Sequence, residues 1–143
     1  MSAFSGYLER ALLGVTLLGS SFSTPATLWV CLATSVASDC SSPAHVTEVT
    51  TNVAYQRLPF APTDGKMSAP TSGPDWTVAN SQAFTFAAAT TPWPLAVFYV
   101  TIATSSVIGT GEHLYFGLLA NSRTVLLDDV LSFSAGQLTI TLN

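Results

Sequence analysis

Residues 23–34, STPATLWVCLAT, break the rule that a surface strand alternates apolar with polar side chains: Leu28, Val30 and Leu32 on one face are matched by Trp29, Cys31 and Ala33 on the other. Residues 94–104, PLAVFYVTIAT, do the same. A strand in a two-sheet protein is dry only on its inner face, so each run needs a second cover, from another element of the chain or from another protein.

One such cover is encoded at the start of the chain. Phe4, Tyr7, Leu8, Ala11, Leu12, Val15 and Leu18 recur at i, i+3, i+4, i+7 spacing, and Gly19 stands where a helix stops. The spacing predicts a packed amphipathic helix within residues 1–20. A secretory leader fits less well, because the segment ahead of the apolar core carries one Glu and one Arg and so has no positive bias. The apolar run is also too short to cross a bilayer, so no membrane role is expected. This helix can roof one of the two dry runs but not both, which leaves at least one outer face as a candidate interface.

After the helix every signal is for strands. Residues 26–34, 53–61, 81–89, 94–104 and 113–120 read as separate strands, and DVLSFSAGQLTITL (129–142) reads as a hairpin turning at Ala135-Gly136. The chain of 143 residues is predicted to be a single mainly β domain (1–143). Its expected form is an antiparallel β-sandwich of six or seven strands over 24–143, closed by the N-terminal helix.

Charge bears directly on function. Only 8% of residues are charged and 48% are apolar, with a mean hydropathy of +0.45. A compact monomer of this mass exposes roughly 7,000 Å², so large patches can be lost to partners with few ions desolvated. The composition is that of an assembly component. The four basic residues, Arg10, Arg57, Lys66 and Arg123, are scattered, whereas nucleic-acid binding needs clustered cations, so no nucleic-acid partner is expected.

Constellations for chemistry are sparse. His45 and Glu48 have i, i+3 spacing in an extended segment with no further ligand pair, so no metal is expected. Glu112 and His113 are neighbours on a strand and point to opposite faces. Asp128-Asp129 falls where a tight turn is wanted, and Asp favours turns. Cys31 and Cys40 read as two buried or partly buried thiols. No nucleophile elbow, phosphate loop or Cys-x-x-Cys occurs, so neither an enzyme nor a cofactor is expected. The candidate functional residues are aromatic interface anchors: Trp29, Trp76, Trp93, Tyr55 and Tyr115. Trp93, between Pro92 and Pro94 at a strand entrance, is the one most expected to be exposed.

The helix followed by TPATLWVCLAT, the block TEV…AYQR (47–49 and 54–57), the Trp93 segment, LYFGLL, and the closing SRTVLLDDVLSFSAGQLTITL together resemble a family of small virion proteins of tailed bacteriophages. Members are often labelled tail-fibre proteins, and similar sandwich proteins serve as cement on icosahedral heads. Asp128 stands where the family usually has Gly, and Thr50, Thr51 and Asn52 replace small glycines. The resemblance implies a non-catalytic virion component. Because a compact domain lacks the repeats of a shaft, the first expectation is a capsid cement or decoration protein on the outer surface of the head. Its partners would be the major capsid protein and itself, as a homodimer or homotrimer. The second is a small tail or fibre-tip component that contacts the host. A glycan-binding sandwich, the third, would have to use Trp76 and Trp93.

Overall fold

The computed structural model describes residues 2–49, 54–71, 73 and 75–142. The chain runs β1 (Ser2–Phe4), α1 (Gly6–Leu18), β2 (Leu28–Val36), a 3-10 turn (Pro43–His45), β3 (Val46–Glu48), β4 (Leu58–Phe60), β5 (Trp76–Ala79), β6 (Phe84–Thr85), β7 (Val97–Ala103), β8 (His113–Arg123), β9 (Ser132–Phe133) and β10 (Thr139–Leu142). The fold is mainly β, with antiparallel sheets and one N-terminal helix, as the sequence predicts.

The large sheet has the order β1-β8-β7-β2-β3, and β4 joins β2 on the same side as β3. β4 pairs with the first half of β2 (Leu28 opposite Phe60, Val30 opposite Leu58) and β3 with the second half (Ala33 opposite Glu48, Val36 opposite Val46). Between them, at Leu32, the carbonyl accepts from the Val49 N–H at 3.2 Å and the N–H donates to the Tyr55 hydroxyl at 2.8 Å. A side chain thus completes the ladder where the edge strand is split. The sequence reads 53–61 as one strand, but only Leu58–Phe60 pairs; Ala54 sits at φ 61 and turns the chain. The polar ends of Tyr55 and Arg57 are engaged by β2 and β3 in place of backbone pairing.

Two short ribbons, β5–β10 and β6–β9, form the second layer. Val30, Leu32, Ile102 and Leu114 from the sheet share one core with Phe84 and Phe133 from the ribbons and Phe86, Trp93, Val125, Leu131 and Leu138 from the connections. The expected C-terminal hairpin does not form. The turn is present, with Gln137 N–H donating to the Ser134 carbonyl at 3.0 Å and Gly136 at φ 80, but β9 pairs with β6 and β10 with β5. Buried Asn80 redirects the chain. Its amide nitrogen donates to the carbonyls of Gln82 (2.8 Å) and Ser134 (2.9 Å), its amide oxygen accepts from Leu138 N–H (2.8 Å), and its backbone carbonyl accepts from Gly136 N–H (2.6 Å).

The second face of β2 is covered by the same chain. Cys31 and Ala33 are fully buried. Ala33 packs with Cys40 and Val46 under Tyr99 and Phe116. Both thiols are free. On β7, Phe98 remains exposed.

The helix departs most from expectation. Ser5 caps it, accepting from Leu8 N–H at 3.2 Å, and Gly19 ends it in the left-handed region at φ 66. Its start is held hard: the Ser5 N–H donates to the Leu114 carbonyl (3.0 Å) and Gly6 N–H to the Asp39 carbonyl (2.6 Å), and a Cβ at residue 6 would lie 3.1 Å from that oxygen. Only Leu8 of the helix is buried, whereas Leu12, Leu13, Val15, Leu17 and Leu18 are exposed. The predicted stripe packs through its first turn only. Phe4, expected on the helix, lies in β1 against Tyr115 (ring centroids 5.5 Å apart). The total accessible surface, 7891 Å², exceeds the value expected for a compact monomer of this mass, consistent with a projecting element.

Candidate functional site

The five aromatic candidates fall into three environments. Tyr55 and Trp93 are core residues, 2% and 6% exposed, with ring centroids 5.9 Å apart and edge-on, and Phe86 stacks on Tyr55. Neither offers surface to a partner, which corrects the expectation for Trp93 in particular. The prolines that suggested exposure instead bracket a residue whose backbone N–H donates to the Val125 carbonyl at 2.9 Å, pinning it inward. Trp29 is half-buried and borders a depression with Gln56, Arg57 and Val107. Trp76 is exposed and Tyr115 half-buried, and these two line one apolar cleft between the layers.

The tightest polar constellation was not visible in the sequence. Glu48 and Arg57 form an ion pair with side chains 2% and 0% exposed. Arg57 Nε donates to Glu48 Oε2 at 3.0 Å, and Nη2 donates to Oε1. Arg57 Nη1 donates to the carbonyls of Ser105 (2.6 Å) and Thr110 (3.1 Å), tying down the β7–β8 loop. The Tyr55 hydroxyl donates to Glu48 Oε2 at 3.1 Å. His113 approaches from β8: its Nδ1 is 2.8 Å from Thr101 Oγ1, and its Nε2 lies 3.9 Å from Glu48 Oε1 with no hydrogen-bond partner among the described residues. Burial pulls the His113 pKa down to about 4, and burial, reinforced by the Glu48 carboxylate, pushes the Cys31 thiol up to about 12. Burial likewise raises the Tyr55 phenol. These groups are neutral at pH 7 and closed to solvent, so the cluster acts as a fastener for β2, β3, β8 and the β7–β8 loop. The one cue in the sequence was Arg57, set among apolar residues in VAYQRLPF.

The remaining candidates sit apart. His45 Nδ1 is 2.9 Å from Asp39 Oδ1 at the surface, away from the buried Glu48 cluster. Asp128 and Asp129 do form the expected turn: Asp128 lies at φ 65 and its N–H donates to the Ala89 carbonyl, while Asp129 Oδ2 accepts from Leu126 N–H at 2.8 Å. The positive φ gives a physical reason for glycine at that position. Thr50, Thr51 and Asn52 lie outside the described residues. No group of three or more metal-ligating side chains occurs among the described residues, and no helix among them is long and apolar enough to cross a membrane.

What the molecule does present is uncharged apolar surface. Between Arg10 and Asp39 the sequence has no ionised side chain, and the helix carries the two most exposed large apolar residues among those described, Leu17 at 74% and Leu18 at 81%. The distal turns of the helix thus form an apolar surface that the described residues of the chain leave uncovered. Residues 3–141 match the family described as podophage GP4 fiber I protein gp80. The chain belongs to this family. No curated protein matches it. As a member of the fiber I family it is a structural protein of the tailed-phage virion.

Proposed function

We propose that this protein is a small docking subunit of the podophage fibre apparatus, joining larger virion proteins through apolar contact and carrying out no catalysis. The observation behind this reading is the helix. Its first turn is fixed to β8 and to the loop after β2, while its remaining turns expose Leu12, Leu13, Val15, Leu17 and Leu18. A monomer gains nothing from that arrangement, since each exposed leucine costs hydration that burial would recover, about 1.5–3 kcal/mol for a fully buried side chain. The family's description supports a place in the fibre.

A second reading, capsid cement bridging major capsid protein subunits, is favoured by the compact two-layer body, which has no shaft. The two separate by counting. Quantitative mass spectrometry of purified particles is expected to give a small multiple of three or six copies for a fibre subunit. Hundreds of copies would move it to the head. Virions lacking it are expected to keep intact heads and lose adsorption; heat-labile heads with normal adsorption would overturn the fibre reading.

A further inference from the structure

Two basic side chains face one buried carboxylate. The His113 side chain, as closed to solvent as Arg57, turns its Nε2 toward Glu48 Oε1, the same oxygen that accepts from Arg57 Nη2. Glu48 Oε2 takes both Arg57 Nε and the Tyr55 hydroxyl, whereas Oε1 has one donor among the described residues. Each ring nitrogen of His113 thus faces an oxygen, Thr101 Oγ1 at 2.8 Å and Glu48 Oε1 at 3.9 Å. A neutral ring has one proton to offer two such acceptors, and an imidazolium has two. The other titratable groups nearby do not compete: burial keeps Cys31 on β2 and Tyr55 protonated, and the Glu112 carboxylate acts on Cys40. Arg57 also governs a loop, because its Nη1 donates to the carbonyls of Ser105 and Thr110. The other hydrogen bonds of residues 105–110 stay within the loop, among those described: the Ser105 and Thr110 hydroxyls meet at 2.9 Å, and the Val107 N–H donates to Ser105 Oγ and the Thr110 N–H to the Val107 carbonyl, each at 3.2 Å. Besides the packing of Ile108 against the core, the Arg57 bonds are what fasten this loop to the body.

We propose that Glu48 holds one buried cation at a time, so that protonation of His113 draws the carboxylate away from Arg57 and releases the β7–β8 loop, an acid-operated catch built into the fold. One carboxylate cannot compensate two cations out of water, since a buried ion is tolerated only when it is paired. In the closed form, burial and then the Arg57 charge hold the His113 pKa down to about 4; in the released form the ring meets Glu48 or water and returns toward its ordinary 6.5. The released form therefore takes up the proton first. Its population relative to the closed form is constant above pH 6.5 and rises about tenfold for each unit from there down to about 4. What the release uncovers is the depression bordered by Trp29, Gln56, Arg57 and Val107.

Hydrogen exchange at the Arg57 Nε–H, followed by NMR in the full chain, reads the catch directly. Corrected for intrinsic exchange, its protection in wild type is expected to fall about tenfold per pH unit from 6.5 to about 4, while amides of the β2–β7 ladder keep theirs. In His113→Gln the same protection is expected to be level across that range. The His113 ring carbons and the Arg57 Nε–H resonance of wild type are expected to shift along one titration curve, a measurement that stands even if His113→Gln fails to fold. Glu48→Leu/Arg57→Leu removes the tie without leaving a buried charge unpaired. In that variant nitrogen relaxation is expected to show residues 106–110 mobile at pH 7 and pH 5 alike, against an ordered loop in wild type at pH 7. Constant Arg57 protection in wild type, a fall that persists in His113→Gln, parallel loss in the β2–β7 ladder, two separate titration curves, or an ordered loop in the double variant would each overturn the proposal.

Discussion

His113 is held neutral in the fold, and that has a direct consequence for acid stability. Its folded pKa of about 4 lies below the ordinary 6.5, so as pH falls through 6.5 the unfolded chain takes up a proton that the folded chain refuses. Its contribution is intact above 6.5 and is lost progressively down to about 4, with a slope of about 1.4 kcal/mol per pH unit. Urea denaturation across pH 4–7 is expected to show this slope in wild type and a flatter profile in His113→Gln; equal slopes would mean that His113 is solvated. The neighbouring pair offers a second check. Glu48→Gln strips the negative partner from a buried guanidinium and is expected to cost about 3–5 kcal/mol, whereas Glu48→Leu/Arg57→Leu is expected to recover much of that loss. A cost below about 1 kcal/mol for the single change would place the pair in water.

At the scale of elements, the ribbons depend on Asn80. Replacing it with Ala orphans the Leu138 N–H and takes a donor from the Gln82 and Ser134 carbonyls, and is expected to cost about 2–4 kcal/mol, with Leu138 losing protection from hydrogen exchange first. Unchanged protection at Leu138 would show that the crossing is held by the turn alone. This crossing also marks how far the sequence could be read. β2, β7 and β8 were legible because their long apolar runs have no other stable use. The turn at 134–137 was legible too, but its strands were assigned to each other since adjacency along the chain is the usual guide to pairing. Asn80, distant in sequence, decides otherwise. Strands β1, β3 and β5, each of three or four residues, are too short to show a period. The helix and its Gly19 stop were read correctly, yet periodicity says which residues share a face, not whether anything lies opposite that face.

For the whole molecule, the candidate site was half legible. Composition pointed to contact with other proteins, and Trp76 and Tyr115 do meet at one cleft, whereas Tyr55 and Trp93 form core contacts that residue type alone cannot distinguish from surface anchors. The body is fastened independently of the distal helix. Leu17→Gln/Leu18→Gln is therefore expected to leave the melting temperature within about 2 °C of wild type, given that surface changes shift stability by no more than about 0.5 kcal/mol. Amides of residues 13–18 are expected to exchange rapidly in the isolated chain and slowly in the virion. Slow exchange in both would mean that the helix is already covered.

Burying the Glu48–Arg57 pair leaves seven carboxylates and three cations for the rest of a 143-residue chain. Contacts made by such an exterior have almost nothing for dissolved ions to screen, so they should hold equally in dilute and in saline water. They should loosen instead with cold, when water's reluctance to solvate hydrocarbon weakens. For a particle that must leave its host and persist in whatever medium lies outside, that is a useful division of sensitivities.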